Sequence, residues 1–236
     1  MIDKYVALDI ETTGFNPVND KILEIGAVKV KNGRVVDTFS ELINPGIPVP
    51  WRITEVTGID DSMVRGCDNV SVVLRKFLKF CDEDVILGHN LNFDYSFLAE
   101  KSAEIGMKFS KYGLDTLTMA KKHLKNLESR KLDYLCAYYG IEDKEHHRAY
   151  NDASVTAKLY KKLADLYEKE NDSVFIPAKM QYKPKKASPI TPRQKTYLTD
   201  LIKYHRVEFN ENIDELSKSE ASRWIDKILS THGRIF

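Results

Sequence analysis

Asn32-Gly33 is the tightest local constraint in this chain of 236 residues. Both residues tolerate positive φ, which a two-residue hairpin turn requires if it is to match the twist of its flanking strands. The pair separates two apolar, β-prone runs, Ile22 to Val30 and Val35 to Ile43, and Asn44-Pro45-Gly46 stops the second. A third such run, Tyr5 to Ile10, comes before them. Three strands joined by short connections predict an antiparallel meander.

The period then changes. From Pro48 the pattern turns helical, with Ile53 and Val56 ahead of a break at Thr57-Gly58-Ile59. Val73, Leu74, Phe77, Leu78 and Cys81 recur at spacings of three and four, predicting an amphipathic helix over 70–81. Val85-Ile86-Leu87-Gly88 predicts a short buried strand. Helices are expected from about Asn92 to Ile105, Thr116 to Leu124, Ser129 (as N-cap) to Tyr139, and Ala149 to Lys169, with Gly106 and Gly140 as stops. Strands first, then helices interleaved with a further strand, predict an α/β fold with a mixed sheet flanked by helices.

Around Ile176 the character changes again. Ile176-Pro177 to Thr191-Pro192 holds four prolines and several lysines without an apolar face, and reads as an extended linker. Thr191 and Pro192 then predict the cap and first turn of a helix carrying Tyr197, Leu198, Leu201 and Ile202. A second helix, beginning between Asp214 and Ser219, carries Ala221, Trp224, Ile225 and Leu229. The expected division is a domain over 1–173, a basic linker over 174–190 and a small helical module over 191–236. So small a module is marginal as a free-standing core, so it either stands as a small unit or docks elsewhere.

Composition narrows the function classes. Hydrophobic content of 42% and charged content of 30% describe a soluble globular protein. No window approaches the roughly 18 apolar residues of a membrane helix, and the opening Met-Ile-Asp-Lys-Tyr-Val lacks a signal-like apolar core, so a cytoplasmic protein without membrane contact is expected. Cys67, Cys81 and Cys136 form no C-x-x-C pair and support neither a disulfide framework nor a cysteine zinc site. Net charge is +1 but uneven, because residues 177–236 hold 12 Lys/Arg against 7 Asp/Glu. A basic tail beside an acidic front half suits a carboxylate-rich site acting on a polyanion; a solvated linker has the same composition.

The chemistry concentrates at three places. Asp9 and Glu11 stand two apart at the end of the first strand, so their side chains share a face. Asp94, in Gly88-His89-Asn90-Leu91-Asn92-Phe93-Asp94, falls on the first turn of a helix after a buried strand; Phe93 and Phe97 can pack inward and aim it. Asp152 falls near another helix start, with His147 five residues earlier in the entering loop and His146 and Arg148 as surface neighbours. Singly, each carboxylate also reads as a strand end or a helix cap. Together they offer hard oxygen ligands for Mg²⁺ or Mn²⁺ and a base that titrates near neutrality.

Taken in order and spacing, D-x-E-T-T-G, H-N-x-x-F-D and H-R-A-x-x-D-A resemble the DEDDh class of 3′→5′ exonucleases, above all the proofreading epsilon subunit of bacterial DNA polymerase III and its stand-alone relatives. The resemblance covers roughly residues 3–170. The sister class with tyrosine has that residue four positions before the last aspartate, where this chain has Arg148. The resemblance implies a ribonuclease H-like fold with a mixed five-stranded sheet, the meander plus parallel strands. It implies two divalent cations, Mg²⁺ or Mn²⁺, held by Asp9, Glu11, Asp94 and Asp152, with Asp9 bridging and His147 as general base. It also places Thr12, Thr13, Phe15, His89, Asn90 and Phe93 against the substrate. The implied partners are a DNA 3′ end, with RNA as the alternative, and a DNA polymerase or another replication or repair protein.

Two other readings stand beside it. One is an exoribonuclease of the same fold, although the oligoribonuclease branch usually carries methionine where this chain has Thr12-Thr13. The other is a nucleic-acid or partner-binding protein working mainly through 191–236, whose Thr191-x-x-Gln194-x-x-Tyr197-Leu198 resembles helical modules appended to bacterial DNA-processing proteins.

Overall fold

The computed structural model describes residues 2–142, 148–169, 172–185 and 188–235. β1 (Lys4–Thr12), β2 (Ile22–Lys31) and β3 (Arg34–Leu42) form the predicted meander, with Asn32 and Gly33 at φ of 51° and 71°. Two short helices follow, α1 (Trp51–Thr57) and α2 (Asp61–Val64), and beneath them Leu23, Val49, Ile59 and Val64 bury together. α3 (Val70–Cys81) turns Val73, Leu74, Phe77 and Cys81 inward, as its periodicity requires. Two strand–helix pairs come next, β4 (Val85–Gly88) with α4 (Leu91–Glu104) and β5 (Tyr112–Asp115) with α5 (Thr116–His123). α6 (Leu132–Tyr139) and the long α7 (Ala149–Tyr167) complete the flanking layer. Beyond them lie β6 (Ala178–Lys179), α8 (Pro192–His205) and α9 (Lys218–His232). Among the described residues, no helix is long and apolar enough to cross a membrane.

β1 is central. It runs antiparallel to β2 and parallel to β4, β4 is parallel to β5, and the order is β3-β2-β1-β4-β5-β6. The mixed sheet is the expected one, but among the described residues it has six strands and not five. The sixth, β6, pairs antiparallel with β5, and Met180 N–H donates to Lys111 O at 2.9 Å. Two residues carry no periodicity; just past them, the Met180 side chain packs close over Gly113, where a Cβ would come 2.7 Å from its Sδ.

Every second residue of β1 serves a different layer. Val6, Leu8 and Ile10 bury with Phe77, Phe97 and Leu98 under α3 and α4, while Tyr5 and Ala7 bury with Leu159, Tyr160 and Leu163 under α7. Removing a side chain such as Phe77 or Tyr160 from water contributes about 1.5–3 kcal/mol each.

Two local expectations shift, at Ser129 and along the Pro/Lys-rich stretch, while the last helix starts within its expected span. Ser129 does not cap α6; it accepts Lys131 N–H at 3.2 Å just upstream, and the helix starts at Leu132 without a side-chain cap. The last helix starts at Lys218, after a 3₁₀ turn over Ile213–Glu215, with Ser217 and Glu220 closing a capping box. The Pro/Lys-rich stretch follows the protein surface: Phe175 is buried, Met180 and Tyr182 pack beside α4, and Glu100 accepts Lys185 N–H at 3.0 Å. α8 carries the predicted Thr191 cap with Pro192 in its first turn, Gln194 completing a capping box, and Leu198, Leu201, Leu216, Ala221 and Ile228 form a small core between α8 and α9.

Candidate active site

Asp9 and Glu11 continue the face on which Tyr5 and Ala7 bury under α7, so they emerge where the first turn of α7 presents Asp152. One carboxylate oxygen from each of the three lies within 4.8 Å of the other two. An all-oxygen set with no cysteine fits a hard divalent cation better than zinc. Asp94 stands on the first turn of α4, buried, and its Oδ1 accepts Ile10 N–H at 3.1 Å. That bond ties the start of α4 to β1 one residue from Asp9.

β2 supplies what the motifs do not mention. In register, Asp9 faces Gly26 and Glu11 faces Glu24. A Cβ on Gly26 would overlap Ala149 C and Tyr150 N, so the start of α7 rests directly on the strand backbone. Glu24 is buried and grips that same start: Arg148 donates from Nη2 to Oε1 at 2.7 Å and from Nε to Oε2 at 3.1 Å, and Ala149 N–H donates to Oε2 at 3.1 Å. Arg148 was expected to be a surface residue; its guanidinium instead closes on a carboxylate from 124 positions earlier. Removing the Arg148 guanidinium would leave the buried Glu24 carboxylate without its charged partner, whereas Arg148 itself keeps access to solvent. A register shift at Glu11/Thr12 lets Leu23 drop beneath α1 and α2 while Glu24 keeps facing α7. The one acidic residue and the one glycine inside the apolar run Ile22 to Val30 were the available signals for both residues.

The electrostatics follow from this crowding. Without a bound cation, burial, then the charges of Asp94, Glu11 and Asp152, hold the Asp9 carboxyl well above the ordinary carboxylate range. Burial, then Asp152 and Glu24, push Glu11 up to about 8. Burial pushes Asp94 to about 8 against the opposing pull of its backbone N–H bonds. Such groups bind more protons folded than unfolded, so their contribution to stability is full below the unfolded pKa and is lost as pH rises through the folded one. Chelator-treated protein should therefore melt at falling temperature from about pH 4.5 to about pH 8, and added Mn²⁺ should remove most of that slope. Thermal melts across the window check this; a flat profile without metal would dismiss the repulsion.

A sequence profile of the RNase_T exonucleases matches residues 6–160. The chain belongs to the RNase_T exonuclease family. It is 43% identical over 162 residues to a PolC-type DNA polymerase III of Caldanaerobacter subterraneus subsp. tengcongensis, covering 69% of this chain and 12% of that protein. It is 41% identical over 159 residues to the PolC-type DNA polymerase III of Clostridium perfringens, covering 67% of this chain and 11% of the polymerase. The chain thus spans only about an eighth of the curated relatives it matches. Among solved structures, Exonuclease X in complex with 5′-overhanging duplex DNA superposes with a TM-score of 0.58 at 22% identity, over 69% of this chain and 92% of that one. E. coli Exonuclease I in complex with a dA16 oligonucleotide gives 0.63 at 18% identity, over 70% and 42%.

The remaining expected residues of this exonuclease domain fall into two groups. Phe15 is 87% exposed, and its ring stands edge-on to Phe93 at 6.3 Å, with Phe97 behind at 5.1 Å. Thr12 and Thr13 are buried: the Thr12 hydroxyl donates to Gly14 O at 2.6 Å, and Thr13 Oγ1 accepts Lys21 N–H at 2.9 Å. His89 has both ring nitrogens engaged within the protein, Nδ1 with Thr116 Oγ1 and Nε2 with Arg130 O, each at 2.9 Å. The Arg130 carbonyl only accepts, so Nε2 carries the proton. His89 thus pins the loop after α5. Asn90 is exposed in the left-handed region at φ 71°, where asparagine is tolerated, and donates its N–H to Asp115 Oδ1 at 2.8 Å. His147 lies outside the described residues, which resume at Arg148.

Proposed function

We propose that the chain is a metal-dependent 3′→5′ exonuclease that releases nucleoside 5′-monophosphates from single-stranded or frayed DNA ends. The observation that carries this reading is the convergence of Asp9, Glu11 and Asp152 within 4.8 Å at the junction of β1 and α7. Asp9, Glu11 and Asp152, with Asp94 beside them, would hold the divalent cations. Bound Mg²⁺ or Mn²⁺ at this centre supplies charge stabilisation for the attacking and leaving oxygens of the phosphodiester. His147, neutral, accepts the proton of the attacking water, and Glu24 and Arg148 hold the chain that leads from it into α7. Thr12, Thr13 and Phe15, with Asn90 and Phe93 alongside, form the rim against the terminal nucleotide. The edge-on Phe15–Phe93 pair offers an apolar face on which a base can stack.

DNA is favoured over RNA because the two relatives named above are DNA polymerases. For the same reason the proposed setting is replication or repair beside a polymerase. End-labelled single-stranded DNA, duplex DNA and RNA, digested with Mg²⁺ or Mn²⁺, test the reading together. Shortening of DNA from its 3′ end with mononucleotide product is expected; preferential attack on RNA would move the assignment to an exoribonuclease. His147→Ala is expected to lower turnover roughly 10²–10⁴-fold while leaving metal and DNA binding in place. Normal turnover by that variant would remove the general-base role.

A further inference from the structure

The loop between β1 and β2 carries Thr13 and Phe15 of the proposed rim, and α9 is fastened onto it. At the neck of the loop, Thr13 N–H donates to Lys21 O at 2.9 Å, and Lys21 N–H returns to Thr13 Oγ1 at 2.9 Å. Inside it, the buried Asp20 carboxylate accepts Asn16 N–H at 2.8 Å, and Gly14 lies so close that a Cβ would come 2.5 Å from Asp20 Oδ2. One carboxylate therefore sets the path of Gly14-Phe15-Asn16. A buried charge persists only if it is paired. Among the described residues its partner is Arg223 of α9, whose guanidinium meets Asp20 Oδ1 and also donates to Thr13 Oγ1.

Two further ion pairs flank this one. Lys21 Nζ lies 2.5 Å from Glu220 Oε1, and Lys227 Nζ lies 2.6 Å from Asp61 Oδ2 at the start of α2. Glu220 also accepts Ser217 N–H at 2.6 Å, so the carboxylate that caps α9 holds the neck of the loop as well. The apolar side of α9, with Ala221 and Ile228, packs into the small core it shares with α8. The helix is thus split by role, one face closing its own module and the charged face gripping the exonuclease domain.

We propose that Arg223 is a positioning residue for 3′-end binding, and that α9 braces the Thr13–Asp20 loop in the shape that presents the exposed Phe15 to the terminal nucleotide. The proposal rests on the reading of this site as a 3′-end exonuclease. The described contacts of Arg223 fall on the loop, at Asp20 and Thr13, so its removal acts on binding before chemistry. A loop freed of its brace must be ordered each time DNA binds, and that entropy weakens affinity.

The test uses the full-length chain on single-stranded DNA with Mn²⁺. Arg223→Ala should raise KM on the order of tenfold while kcat stays within about twofold, as expected when hydrogen bonds to a charged group are lost from a binding surface. Amide hydrogen exchange should accelerate over residues 14–20, with α8 and α9 still protected. Arg223→Lys keeps the charge but not the fork that spans Asp20 and Thr13, so its KM should fall between the two. Lys195→Ala, which breaks the Lys195–Asp214 pair inside the module, should leave both constants unchanged.

A normal KM beside a faster-exchanging loop would overturn the positioning role, as would equal losses from Arg223→Ala and Lys195→Ala. Should Arg223→Ala misfold, a wild-type KM for Arg223→Lys overturns the proposal by itself. A wild-type protein that digests no 3′ end removes the parent reading, and the brace with it. An active wild type with an indifferent Arg223→Ala removes the brace alone.

Discussion

Asp9→Ala is expected to abolish digestion of DNA and to remove the heat of Mn²⁺ binding in a calorimetric titration. Asp9 is the carboxylate on which the others converge: Glu11 shares its strand face, Asp152 comes from α7, and Asp94 is tied to Ile10 beside it. Charge stabilisation by bound cations is worth several kcal/mol in the transition state, which is at least about 10³-fold in rate. Asp9→Asn separates this role from structure. It keeps the shape and removes one of the repelling charges, so chelator-treated Asp9→Asn should melt above wild type near pH 8 while remaining inactive. Each kcal/mol recovered corresponds to about 2–4 °C for a chain of this size. Mg²⁺-dependent cleavage surviving in either variant would remove Asp9 from the metal centre.

Gly26→Ala should be nearly as damaging, although residue 26 carries no chemistry. Its Cβ would fall on Ala149 C and Tyr150 N, and both are backbone atoms that cannot rotate away. The first turn of α7 must lift, and Asp152 moves with it. A displacement of about 1 Å at a catalytic group costs on the order of 10²-fold in rate. The same lift strains the Arg148–Glu24 grip, so a loss of stability of about 1–3 kcal/mol is also expected, as for overpacked cores. Turnover, Mn²⁺ affinity and the melting temperature measure the three parts separately. Wild-type turnover in a folded Gly26→Ala would show that α7 does not depend on that contact.

Much of the frame was legible because its signals are local. Asn32-Gly33 states a turn conformation directly, and the repeat of Val73, Leu74, Phe77 and Cys81 states which face of α3 is buried. Thr191 followed by Pro192 states a helix start within two residues. β5 and β6 were not legible. In β5 only Gly113 and Leu114 are buried, and β6 is two residues laid on a sheet edge, so neither displays a period. Ser129 misled for a related reason. Its hydroxyl satisfies the nearby Lys131 N–H just as readily as a helix terminus would.

The sequence by itself determined the chemistry on offer: two carboxylates on one strand face, one more on the first turn of each of two helices, and a family pattern joining them. It could do so because strand alternation and helix starts involve residues only a few positions apart. What holds those groups in place was decided by the tertiary structure. The Glu24–Arg148 grip joins positions 124 apart, and Arg223 reaches Thr13 across 210, distances along the chain over which no periodicity or spacing carries information. Gly26 belongs with them, since its importance lies in what a side chain there would strike. Those contacts exist only once the sheet has brought β1, β2, α7 and α9 together, and burial then turns ordinary charges and an ordinary glycine into supports for the site.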